Sequence, residues 1–70
     1  MEKTQQDSAL ERVYKLKELP QFVGLRATAI HRMIRDGEFP KPIRITKDRR
    51  AIGWLESDLR QWQQARAAAR

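Results

Sequence analysis

Hydrophobic positions along the chain fall into five stretches, and each stretch marks a different element. Val13-Tyr14-Lys15-Leu16 suits a short strand or an extended lead-in. Leu19, Phe22 and Val23 then recur at three- and four-residue steps, which predicts a helix over Lys17 to Val23. Pro20 falls in its first turn, where few backbone donors are engaged, and Gly24 follows as a left-handed cap. Ile30, Met33 and Ile34 predict a second helix from about Ala27 to Asp36, stopped by Gly37. At 100° per residue, Thr28, His31, Arg32 and Arg35 gather on its opposite face. Only Gly24-Leu25-Arg26 or so separate the two helices, so they must be angled, which is helix-turn-helix spacing.

Beyond Gly37 the period shortens. Pro40 and Pro42 forbid helix and favour extended chain. Ile43-Arg44-Ile45 alternates inward and outward, Thr46-Lys47-Asp48-Arg49-Arg50 is a polar tip, and Ala51-Ile52-Gly53-Trp54 returns with Ile52 and Trp54 on one face. This predicts a β-hairpin with a basic tip. A last helix runs from about Glu56 to Ala69, with Leu55, Leu59 and Trp62 as its buried stripe and Ser57 helping to start it. Its acids Glu56 and Asp58 stand at the positive end of the helix dipole, and Arg66 and Arg70 at the negative end. The expected fold class is mainly α with a small β-hairpin, a winged helix-turn-helix. Residues 1 to 12 are polar and aperiodic and are expected to form a disordered tail, with residues 13 to 70 as the one domain.

Composition narrows the function classes. A chain of 70 residues buries only about 60% of its unfolded surface, which leaves little interior for a substrate cavity. No paired carboxylates or glycine-rich phosphate loop occur, and His31 has no evident nucleophile partner, so an enzyme is not expected. There is no cysteine and one histidine, so neither a disulfide nor a zinc site with suitable ligand spacing is expected, and no cofactor. No apolar run is long enough to span a membrane, and the first residues lack the apolar stretch of a signal peptide. The expected location is the cytoplasm, in association with nucleoid DNA.

Charge changes the picture most. The formal net charge is +6, and five of those six units lie between residues 26 and 50, where eight basic residues face Asp36, Glu38 and Asp48. Residues 1 to 25 balance to zero. Charge serving solubility alone has no reason to concentrate in one third of a chain, whereas a phosphate-binding surface does. A second helix about 15 Å long fits the major groove, which is about 12 Å wide. Its face offers a hydroxyl, an imidazole and two guanidiniums, the last suited to guanine O6 and N7. The expected double-stranded DNA contacts are Arg26, Ala27, Thr28, His31, Arg32 and Arg35 from the recognition helix, and Arg44, Lys47, Arg49 and Arg50 from the wing. The helix would read bases and the wing would set register. Phe22, Phe39, Trp54 and Trp62 sit on apolar faces and are expected in the core, which argues against single-strand binding by base stacking. The pattern leaves Tyr14 open.

The runs Tyr14-Lys15-Leu16-Lys17-Glu18-Leu19, Val23-Gly24-Leu25, Ile30 to Pro42, and Ala51-Ile52-Gly53-Trp54-Leu55-Glu56-Ser57-Asp58 resemble the AlpA family, small phage, prophage and genomic-island regulators related to excisionases and more distantly to MerR-type winged helices. The resemblance covers about residues 13 to 65. It implies a winged helix-turn-helix that acts in a mobile element. It would regulate integrase and related genes, or serve as a recombination directionality factor binding attachment-site DNA in several neighbouring copies, with an integrase as a possible partner. The family usually carries Ser at the start of the recognition helix and often Tyr later in it, where this chain has Arg26 and His31. The loss of serine either weakens the cap by roughly 1 kcal/mol or hands capping to Thr28. The competing function is a protein-interaction adaptor, binding an integrase or a host regulator with little DNA contact. Membrane binding is disfavoured because the last helix carries few basic residues opposite its apolar stripe.

Overall fold

A computed structural model describes residues 10–69. Strand β1 (Val13–Tyr14) leads into a single 3-10 turn at Leu16–Glu18 and then helix α1 (Leu19–Val23). Helix α2 (Ala27–Arg35) follows, then β2 (Ile43–Arg44), β3 (Ile52–Leu55) and helix α3 (Glu56–Ala68). The three strands form one antiparallel sheet in the order β1-β3-β2. Val13 pairs with Leu55 and Tyr14 with Trp54 on one side of β3, and Ile43 with Gly53 and Arg44 with Ile52 on the other. The molecule is a winged helix-turn-helix in which the predicted hairpin gains β1 as a third strand.

Local chemistry sets the element ends. Pro20 lies in the first turn of α1, and Gly24 closes that helix at φ 76°, donating its N–H to the Pro20 carbonyl at 3.1 Å. Helix α2 ends in a paired termination: Glu38 N–H donates to Met33 at 2.8 Å and Gly37 N–H to Ile34 at 3.1 Å, with Gly37 also at φ 76°. That left-handed position is the one glycine occupies without a Cβ penalty. The 3-10 turn is fixed by Glu18, whose carboxylate accepts the Lys15 N–H at 2.8 Å.

The core is Leu19, Ile30, Phe39, Trp54 and Leu59, one residue from each of α1, α2, the α2–β2 loop, β3 and α3. Phe39 is its centre of aromatic contact. It meets Trp54 edge-on at 6.2 Å between centroids and Trp62 at 4.9 Å. Both tryptophans also hold the loop that carries Phe39: Trp54 Nε1 donates to the Pro40 carbonyl at 2.7 Å and Trp62 Nε1 to the Glu38 carbonyl at 2.9 Å. The segment between recognition helix and wing is thus clamped although it has no regular structure of its own.

Four expectations are corrected. Phe22 is not a core residue. It is 47% exposed, because the short α1 turns Leu19 and Val23 inward and leaves Phe22 at the edge, against the Tyr14 ring at 5.1 Å. Ile45 and Ile52 are both exposed, since the hairpin runs beyond the helices that would cover them. The first helical residues expected at Lys17 form a 3-10 turn instead. Ser57 does not cap α3 from its side chain. The N-cap position is Leu55, and the Ser57 N–H is taken by the Glu11 carboxylate at 3.0 Å.

Most of the expected tail lies outside the described residues. Leu10, Glu11 and Arg12 are within them: Leu10 is exposed, and Glu11 and Arg12 are engaged with the fold. Glu11 caps α3, and the Arg12 carbonyl accepts the Glu56 N–H at 3.0 Å while its guanidinium lies 4.7 Å over the Tyr14 ring.

Candidate functional site

Helix α2 places its charged face where the apolar spacing required. Burying Ile30, with Met33 and Ile34 half-buried beside it, turns Thr28, His31, Arg32 and Arg35 outward, and all four are exposed. Arg26 is the N-cap residue, in extended backbone with no side-chain capping bond. Of the two capping alternatives left by the sequence, the structure takes the uncapped one: the helix begins at Ala27, and Thr28 lies inside it. Arg26 and Ala27 are exposed as well. Ala27 and Arg35 stand eight residue steps apart along α2, about 12 Å of helix rise, so the face is a strip and not a pocket.

The hairpin tip is built by its own polar side chains. Thr46 Oγ1 donates to Asp48 Oδ1 at 2.6 Å, and the same carboxylate oxygen accepts the Arg50 N–H at 3.0 Å. The Thr46 hydroxyl oxygen accepts the Ala51 N–H at 3.2 Å, and the Thr46 carbonyl accepts the Arg49 N–H at 3.1 Å. These bonds hold the Asp48 carboxyl below its ordinary pKa, the Thr46 hydroxyl contributing most and the Arg50 N–H next. Arg49 adopts φ 64°, a left-handed conformation unusual for a residue with a side chain. The result is an ordered turn from which Lys47, Arg49 and Arg50 all project as exposed side chains, with Arg44 exposed on β2 below them.

The cations differ in how far the chain's own acids neutralise them. Arg35 pairs with Asp36 at 3.4 Å and Arg50 with Asp48 at 3.5 Å. Outside the strip and wing, Arg12 pairs with Glu18 at 3.7 Å and Arg60 with Glu56 at 2.8 Å. Among the described residues, Arg26, Arg32, Arg44, Lys47 and Arg49 form no ion pair. Guanidiniums in that state keep their full donor set for an external anion, including the two-pronged geometry that fits a phosphate or the edge of guanine.

Of the predicted residues, the fold brings Ala27 and Arg50 to one place. Together with Lys15, Leu16, Lys17, Ala51 and Ile52 they line a groove between the start of α2 and the returning arm of the hairpin. Lys15 and Lys17 were not among the predicted residues, because Glu11 and Glu18 cancel them in a count by sequence. The usable signal was the alternation of Lys15 and Lys17 around the half-buried Leu16. Among the described residues no cluster of His, Asp or Glu could hold a metal ion, and no helix is long and apolar enough to cross a membrane.

Comparison with known proteins gives a consistent picture. The profile of the family described as Prophage CP4-57 regulatory protein (AlpA) matches residues 12–67. The chain is also 31% identical over 64 residues to the uncharacterized protein ORF88 of Enterobacteria phage P4, an alignment covering 91% of this chain and 70% of that one. No solved structure matches significantly.

Proposed function

The chain belongs to the AlpA family of prophage regulatory proteins, and from that premise we propose that it is a sequence-specific double-stranded DNA-binding regulator of a mobile element. Helix α2 enters the major groove, with Thr28, His31, Arg32 and Arg35 toward base edges and Arg26 and Ala27 at the entering end. Arg44, Lys47, Arg49 and Arg50 of the wing engage the adjacent backbone. The observation that carries this reading is the run of exposed cations on α2 and the hairpin, of which Arg26, Arg32, Arg44, Lys47 and Arg49 form no ion pair among the described residues.

The two elements divide the work by their chemistry. Arg32 stands mid-helix between Thr28 and Arg35, where a side chain reaches base edges and discriminates by donor pattern. Lys47 is a point charge on a turn, suited to phosphate, which fixes register and contributes affinity without sequence information. The regulatory output is control of integrase or related genes, or excisionase action at attachment sites. Both use this one surface, and both suit several copies on repeated sites, since a single module with about six phosphate contacts binds modestly at physiological salt.

A gel-shift titration tests the reading, using duplexes from the integrase promoter and attachment site beside the gene, random competitor DNA and two salt concentrations. Discrete, laddered complexes that survive competitor are expected. Smears that vanish with competitor or salt would leave only non-specific charge and favour a protein partner such as the integrase.

A further inference from the structure

The groove between the lead-in segment and the hairpin adjoins the α2 strip at Ala27 and the wing tip at Arg50. Its lining is Lys15, Leu16, Lys17, Ala27, Arg50, Ala51 and Ile52, and its volume is about 530 Å³. No acid lines it. Arg50 is partly neutralised by Asp48, whereas Lys15 and Lys17 are exposed and form no ion pair among the described residues. Leu16, Ala51 and Ile52 form an apolar surface between these cations, and Ile52 remains 38% exposed there. A cation-rimmed, acid-free channel with an apolar floor is a poor fit to a metal ion or to an acidic small molecule, which would leave the floor wet. It fits a sugar-phosphate strand, whose phosphates meet the ammonium groups while the deoxyribose carbons cover the floor.

We infer that this groove seats the phosphodiester backbone of one DNA strand, with Lys15 and Lys17 as its principal phosphate contacts and Ile52 packed on the sugar. The inference rests on the DNA-binding reading above and extends it to a third element, the segment before α1. The groove opens at Ala27, the first residue of α2. A strand held there runs beside the entering end of the recognition helix, and the wing closes over its other side through Arg50. The backbone would then be gripped between two segments far apart in sequence, which fixes how deeply α2 enters the groove.

The test uses the full chain and a fluorescently labelled random-sequence duplex about 30 base pairs long, with affinity measured by anisotropy across a salt series. Because a phosphate contact is blind to sequence, the random duplex is the direct probe. In the double variant K15Q/K17Q the slope of log affinity against log salt should become shallower by about two, one phosphate per lysine. The ratio of wild-type to variant affinity should shrink about tenfold between ~50 and ~200 mM salt. Ile52→Glu, which sets a carboxylate into the groove from an exposed position, should weaken binding to the same duplex while melting as the wild type does. An unchanged slope in K15Q/K17Q, or undiminished affinity in I52E, beside a wild type that binds with steep salt dependence would overturn the groove assignment and leave the DNA-binding reading standing. A loss confined to operator DNA would also overturn it, because that is the mark of base contact. A wild type with no salt-dependent affinity for duplex DNA would overturn both.

Discussion

The Trp54 indole N–H donates to the Pro40 carbonyl at 2.7 Å and so fastens the middle strand of the sheet to the loop that leaves the recognition helix. Trp54 is almost fully buried, so this bond is made where water does not compete well. It links the two parts proposed to touch DNA, α2 and the hairpin, through one side chain. Trp54→Phe keeps the aromatic packing on Phe39 but strands the carbonyl. A loss of about 1–3 kcal/mol in urea denaturation is expected. Trp62→Phe, at a half-buried indole bonded to Glu38, should cost less.

Gly53 sits in the middle strand with β1 on one side and β2 on the other. A Cβ there would collide with the Val13 side chain and come to 3.0 Å from the Tyr14 carbonyl oxygen. Gly53→Ala should therefore destabilise by about 1–3 kcal/mol, as overpacking does. Thermal melting followed by circular dichroism measures it, and an unchanged melting temperature would show that β1 yields without cost.

Arg26 caps α2 with no side-chain hydrogen bond. Arg26→Ser supplies an oxygen that can accept the N–H of the second or third helical residue, and a gain of about 1 kcal/mol is expected. In a domain this small that raises the melting temperature by roughly 4–8 °C. The same variant removes a proposed DNA contact, so stability and affinity should move in opposite directions.

Glu11 accepts the Ser57 N–H and a bond from the Ser57 side chain, and these two hold its carboxyl below the ordinary glutamate range. A pKa lowered in the folded state contributes stability that is fully present above the unfolded value, near 4.3, and is lost as pH falls through the lower native value. Melting temperature should thus decline with acid from about pH 4.3 downward, and Glu11→Gln should reduce that decline. Asp48, lowered by its own turn, contributes in the same direction and should keep some acid dependence in the variant.

Arg32→Ala should cost about 1–3 kcal/mol on operator DNA and relax sequence preference, whereas Lys47→Ala should weaken all duplexes alike and lower the salt slope by about one. Equal losses for Arg32→Ala on operator and random DNA would remove its base-reading role.

Much of this molecule was determined by the sequence alone, where the cause is local. The three-and-four spacing of Ile30, Met33 and Ile34 fixes which face of α2 is buried, and hence that Thr28, His31, Arg32 and Arg35 face solvent. Gly24 and Gly37 stop their helices by backbone geometry that needs no distant partner. The basic hairpin was equally readable, because Pro40, Pro42 and the polar run Thr46 to Arg50 act on their immediate neighbours. Only tertiary structure decided the rest. Glu11 caps a helix 46 residues away, and Val13–Tyr14 becomes a strand because β3 offers it an edge. Phe22 is left exposed because so short a helix has room to bury only part of its apolar set. Lys15 and Lys17 look neutralised in a linear count, yet the fold brings them with Arg50 to the lining of one groove that holds no acid. In each case the deciding energy lies between residues remote in sequence, where neither spacing nor propensity carries information.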